Sequence, residues 1–121
     1  MDAPYERQLF VCVFGPWCKL DGSEAVCAAL KQEAKAAGLA RELRVTKSGC
    51  LGQCGHGPVA VMWPENVWYA PLRAGDVPEV VRAHLIGRAP VERLRYHPAK
   101  AGGNKTAEIQ AKEAASGKVA E

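Results

Sequence analysis

The sequence predicts an α/β domain built on a single mixed β-sheet flanked by helices, in the order β-α-β-β-β-α. Three observations predict it. Short β-rich apolar runs alternate with stretches of helical spacing. An Asp-x-x-Glu capping signal precedes each helical stretch. Gly, Pro and Asn punctuate the boundaries. With 121 residues the chain fits one domain, with room for a modest core and a tail.

Gln8–Phe14 is a β-rich apolar run and predicts a buried strand, broken by Gly15-Pro16. Asp21-Gly22-Ser23-Glu24 then offers a capping box. Val26, Leu30, Ala34 and Ala37 follow at helical spacing, with Gly38 as C-cap, so a helix is expected over about residues 22–37. Leu43 and Val45 alternate with Glu42, Arg44 and Thr46, the pattern of a half-buried strand. Ser48–Pro58 holds four glycines, at 49, 52, 55 and 57, and reads as a loop. Val59–Trp63 and Val67–Ala70 form a hairpin about Pro64-Glu65-Asn66. Asp76-Val77-Pro78-Glu79 repeats the cap signal, with Pro78 in a first turn that loses no backbone donor. Val77, Val80, Val81 and Leu85 give that helix its apolar face, and Gly87 ends it. The domain is expected over residues 1–97. Residues 98–121 are rich in Ala, Gly, Lys and Glu, with only Ile109 and Val119 as larger aliphatics, and read as a mobile tail. A transient helix over Thr106–Ala115 is compatible with that composition.

Composition narrows the function classes. Hydrophobic residues at 48% and charged residues at 24% are those of a soluble globular chain, and no run is long enough to span a membrane. The net charge of +3 is spread thinly, so nucleic acid has no compositional support as a partner. The polar start lacks the pattern of a secretory signal, which gives a cytoplasmic expectation. Cytoplasmic thiols stay mostly reduced, so five cysteines point to metal or catalysis before disulfides.

Two pairs stand out: Cys12-x5-Cys18 at the end of the first strand and Cys50-x3-Cys54 in the glycine loop. Neighbouring strand ends can bring the four sulfurs together, and four thiolates are what a [2Fe–2S] cluster requires. Such a centre is negatively charged. Gly49, Gly52, Gly55 and Gly57 let backbone N–H groups approach its sulfurs without obstruction. Structural zinc also takes four cysteines, but its knuckles usually use Cys-x2-Cys. A four-cysteine zinc module that binds partners therefore stays as the alternative. No Cys-x-x-Cys redox motif is present. Cys54-Gly55-His56 hints at a Rieske centre, but no later cysteine completes it.

The segments VCVFGPWCKLDGS, SGCLGQCGHGPVAVMWPENVWY and GRAPVERL closely resemble the thioredoxin-like [2Fe–2S] ferredoxins, from about Leu9 to Leu94. The resemblance implies a thioredoxin-like fold and a [2Fe–2S] cluster on Cys12, Cys18, Cys50 and Cys54. It also implies a homodimer and one-electron transfer to redox partner proteins, with no catalytic residue. The x5 spacing lies near the short end of the family range, which makes Cys18 the departure to note. A related domain occurs as a relay subunit in complex-I-type dehydrogenases and some hydrogenases, so a relay or sensor role is the second alternative.

Other residues carry two readings each. Cys27, on the apolar stripe of the first helix, reads as a core thiol rather than a replacement ligand. Trp17 either shields the cluster or anchors a partner. Trp63, Trp68 and Tyr69 belong to the core or to a dimer interface. His56 is expected to hydrogen-bond within its loop or face solvent, and His84 to be structural. Lys19, Lys47 and Arg73 are more simply solvated charges than a docking patch.

Overall fold

The structure is a computed structural model that describes residues 3–13, 22–53 and 55–115. Among the described residues four strands form one sheet: β1 (Arg7–Cys12), β2 (Leu43–Ser48), β3 (Ala60–Trp63) and β4 (Val67–Tyr69). Their order is β2-β1-β3-β4. The β1–β2 pair is parallel, while β1–β3 and β3–β4 are antiparallel. Helix α1 (Ser23–Ala36) makes the crossover that the parallel pair needs. Its start is the first departure from expectation. Gly22 is the N-cap, in the left-handed region at φ 84°, and no side-chain cap bond is made. Asp21, the expected cap, lies outside the described residues. Glu24 pairs with Lys47 on β2 at 2.7 Å. The helix ends as expected, with Gly38 at φ 78° and Leu39 N–H donating to the Ala34 carbonyl at 3.0 Å.

Helix α2 (Val77–Val80) continues as a π-helical turn over Val81–Ile86. Its widened ladder shows in the Gly87 N–H, which donates to the Arg82 carbonyl, five residues back, at 3.1 Å. Asp76 does not cap α2 with its side chain; its carboxylate accepts from the Arg73 N–H at 3.2 Å and closes the preceding turn.

The strands divide their side chains by the period of two. Leu9 and Val11, Leu43 and Val45, Ala60 and Met62, and Val67 and Tyr69 face α1 and α2, where they meet Val26, Leu30, Val77, Val80 and Leu85. Each fully buried Leu or Val there contributes about 1.5–3 kcal/mol. The alternate positions, Phe10, Cys12, Val61, Trp63 and Trp68, lie on the opposite face. Trp63 is 44% exposed and so is not a core residue, whereas Tyr69 is fully buried.

A buried polar network pins α2 to the hairpin. The Tyr69 hydroxyl accepts from the Val91 N–H at 3.1 Å and donates to His84 Nδ1 at 2.6 Å. His84 Nε2 is then the ring N–H, and it donates to the Glu65 carboxylate at 2.5 Å. Arg7 joins from β1, donating to the Leu85 carbonyl at 2.6 Å and pairing with Glu65 at 3.6 Å. The structural role expected for His84 is what the contacts show. Arg7 stands in the polar N-terminal stretch, yet its side chain is buried because the carbonyls of the π-turn and Glu65 take its charge.

Composition argued for a mobile tail after His97. In the structure, Gly102, Asn104 and Thr106 lie against the glycine loop, and Ala107–Ala115 forms a third helix, α3. Ile109 is the reason. It is 8% exposed and packs onto Cys12 and Val59. One aliphatic side chain was too small a signal to read from composition.

Candidate metal centre

Cys12 is the last residue of β1, so its backbone is fixed by the sheet. Its N–H donates to the Val59 carbonyl at 3.0 Å, and it pairs in register with Ser48 of β2. Period-two alternation turns its side chain away from the helices. There it is 3% exposed, in a cluster with Val59 and Ile109. Cys50, two residues beyond β2, packs against the same cluster with Leu51, Trp68 and Ala70. Parallel pairing of β1 and β2 thus brings the first cysteine of each pair to one end of the sheet. Cys18 and Cys54 lie outside the described residues.

The glycine loop has the backbone that a negatively charged sulfur centre needs. Gly52 N–H donates to Cys50 Sγ at 3.3 Å. Gly55 and Gly57 sit at φ 96° and 82°, where L side chains are strained. A Cβ on Gly57 would lie 2.5 Å from the Pro71 ring. Replacing Gly57 with Ala therefore combines left-handed strain with a clash against a rigid ring. A loss of roughly 2 kcal/mol is expected, read as a lower urea midpoint at unchanged slope.

The remaining singled-out residues fall outside the centre. His56 donates from Nε2 to the Asn104 carbonyl, and its ring lies 5.4 Å from that of Tyr96. It is a loop hydrogen-bonder, as expected. Cys27 is fully buried on α1, and burial pushes its thiol pKa up. Cys27→Ala should leave a cluster spectrum unchanged and cost about 1 kcal/mol, the scale of one buried methylene, by thermal unfolding. Lys47 is taken by Glu24. Trp17 and Lys19 lie outside the described residues. Sequence reasoning missed Gln53, which is 7% exposed beside Cys54 and bonded on both ends of its amide. Its only signal in the sequence was its place between two glycine–cysteine steps.

No protein-family model matches the sequence. Individual proteins do. The chain is 31% identical over 100 residues to a 2Fe-2S ferredoxin of Clostridium pasteurianum, covering 74% of this chain and 95% of that protein. The chain belongs to the thioredoxin-like [2Fe–2S] ferredoxin family. A second 2Fe-2S ferredoxin, from Aquifex aeolicus, is 44% identical over 59 residues, 49% of this chain and 53% of that protein. The crystal structure of the thioredoxin-like [2Fe–2S] ferredoxin from Aquifex aeolicus superposes with a TM-score of 0.70 at 35% identity. It covers 78% of this chain and 99% of that one, so this ferredoxin carries residues for which the Aquifex protein has no counterpart. A chain of an NAD+-reducing [NiFe]-hydrogenase shares the fold, with a TM-score of 0.59 at 16% identity, over 82% of this chain and 18% of that one. The expected thioredoxin-like fold and ferredoxin family are thereby established, and zinc loses its standing as the alternative.

The residues present fit the cofactor that defines this ferredoxin family. Cys12 at the end of β1 and Cys50 just beyond β2 share one apolar cluster, and a backbone N–H already points at one sulfur. When bound, a [2Fe–2S] cluster supplies a one-electron redox couple. The protein's own part is to seat the thiolates, exclude water with Leu51, Val59 and Ile109, and direct the Gly52 N–H at sulfur.

Proposed function

We propose that this ferredoxin carries single electrons between redox partner proteins on a cluster held by Cys12, Cys18, Cys50 and Cys54, with no catalytic residue. The observation that carries the ligand set is the convergence of Cys12 and Cys50 on one cluster of side chains, with Gly52 N–H on Cys50 Sγ. Cys18 and Cys54 complete it as the second cysteine of each spaced pair. The working form is a homodimer. The outer face of the sheet supports this, because Phe10, Trp63 and Trp68 lie on it, Trp63 exposed and the other two half-buried. The location is cytoplasmic, where cysteine ligands stay reduced until loaded. Among the described residues no helix is long and apolar enough to cross a membrane.

Anaerobic purification tests the assignment. The protein should be reddish-brown, with equimolar iron and acid-labile sulfide and a rhombic or axial paramagnetic signal on one-electron reduction. A colourless protein containing zinc and no sulfide would overturn it. Sedimentation equilibrium should give twice the chain mass, and a monomer at micromolar concentration would remove the dimer.

A further inference from the structure

The segment that composition assigned to a free tail is tied to the ligand loop at several points. Gln53 Nε2 donates to the Gly102 carbonyl at 2.9 Å, and the Tyr96 hydroxyl donates to Gln53 Oε1 at 2.7 Å. The Asn104 N–H donates to the Gly52 carbonyl at 2.8 Å. His56 Nε2 donates to the Asn104 carbonyl. Thr106 lies so close to Gly55 that a Cβ there would sit 2.3 Å from the threonine Oγ1. From Thr106 the chain enters α3, whose Ile109 joins Cys12 and Val59 in one buried cluster. Gly52 is thus held from both sides: its carbonyl by the segment, its N–H on Cys50 Sγ.

We infer that residues 102–109 form a strap that positions the Cys50 loop and shields the cluster from solvent, with Gln53 and Ile109 as its two fastening residues. This rests on the ferredoxin reading, because the loop is a ligand loop only if the cluster is there. The physical case is one of count and place. A glycine-rich loop is costly to order because its backbone gives up so much freedom. Here the bonds that order it come from outside the loop, from a stretch of chain that packs on the first ligand strand as well. Releasing the strap would free the Gly52 carbonyl and the Nε2 end of the Gln53 amide, leaving Gln53 Oε1 on Tyr96, and would open the buried cluster that holds Cys12. Water and iron chelators would then reach the centre, while the sheet and the α1/α2 core would keep their packing.

The test compares full-length protein with a chain ending at Lys100 and with two full-length variants, Gln53→Leu and Ile109→Glu. Ile109→Leu serves as the conservative rescue. Two readouts are followed in the loaded protein: the first-order bleaching of visible absorption in excess chelator, and amide hydrogen exchange over residues 49–57. Bleaching should be at least about tenfold faster in the truncation and in Ile109→Glu, and intermediate in Gln53→Leu. Exchange in the loop should rise in all three, without a rise in β1 or α1. Ile109→Leu should behave as the parent. Equal bleaching and equal loop exchange in the truncation and the parent would overturn the strap. If the truncated chain cannot be isolated folded, the two full-length variants decide by the same two readouts. If the parent holds no iron and sulfide, the ferredoxin reading fails instead. The strap is then judged on loop exchange alone, which truncation must still accelerate.

Discussion

Cys12→Ala should yield protein without the visible absorption and with iron and sulfide reduced to background. Among the described residues nothing stands ready to take the place of Cys12. It ends a strand whose backbone is fixed on both sides, by β2 and by the Val59 carbonyl, so a neighbouring residue cannot slide into its position. Cys27, the fifth cysteine, is buried within the α1 core cluster on the opposite face of the sheet and cannot substitute. Cys50→Ala should fail in the same way and also leave the Gly52 N–H without its sulfur acceptor. Cys18→Ala and Cys54→Ala should match them if all four cysteines are ligands. Each variant should keep its far-ultraviolet circular dichroism, because the α1/α2 core does not depend on these thiols. A Cys12→Ala protein with parental iron content and spectrum would remove Cys12 from the ligand set.

The second large effect is on stability. Tyr69→Phe removes one hydroxyl and strands two buried partners, the Val91 N–H and His84 Nδ1. Each buried group left without a partner costs about 1–3 kcal/mol, so a total near 3 kcal/mol is expected. For a domain of this size that corresponds to a fall in Tm of roughly 10–20 °C. The same variant alters the alkaline limb of stability. Burial, the largest cause, holds the Tyr69 pKa above the usual phenol value. The folded state therefore keeps a proton that the unfolded chain releases above about pH 10. The contribution is fully present below that pH and is lost as pH rises through the elevated folded value. Tyr69→Phe should make stability fall less steeply above pH 10. Some slope will remain, because burial also raises the Tyr96 and Cys27 values. Denaturant midpoints from pH 8 to 11 for parent and variant measure this. An unchanged slope would mean that Tyr69 is not the titrating group.

The elements were legible where local physics decides them. A β-rich apolar run marked β1, alternation of Leu43 and Val45 with polar residues marked β2, and Pro64-Glu65-Asn66 marked the hairpin turn, which the structure closes with Asn66 at φ 57°. The end of α1 at Gly38, at φ 78°, also followed from glycine chemistry, whereas beyond α2 the left-handed position is Arg88 at φ 61°. Helix starts were less legible, because a capping side chain has alternatives in the folded molecule. At α2, Asp76 found the Arg73 N–H. The cysteine spacing with its glycines was a strong local signal, and Cys12 and Cys50 do come together.

By itself the sequence determined the order of strands and helices, the family, and which cysteines stand in spaced pairs. Each of those is written in residues close to one another along the chain. Only the tertiary structure decided where Arg7, His84, Glu65 and Tyr69 meet, and that a segment beginning near Gly102 fastens to Gln53 and joins Cys12 in one buried cluster. Those contacts join residues roughly 15 to nearly 100 positions apart. A single tyrosine, glutamine or isoleucine at such a distance leaves no period and no motif, since its partner exists only once the sheet has brought the two ends of the chain to one place.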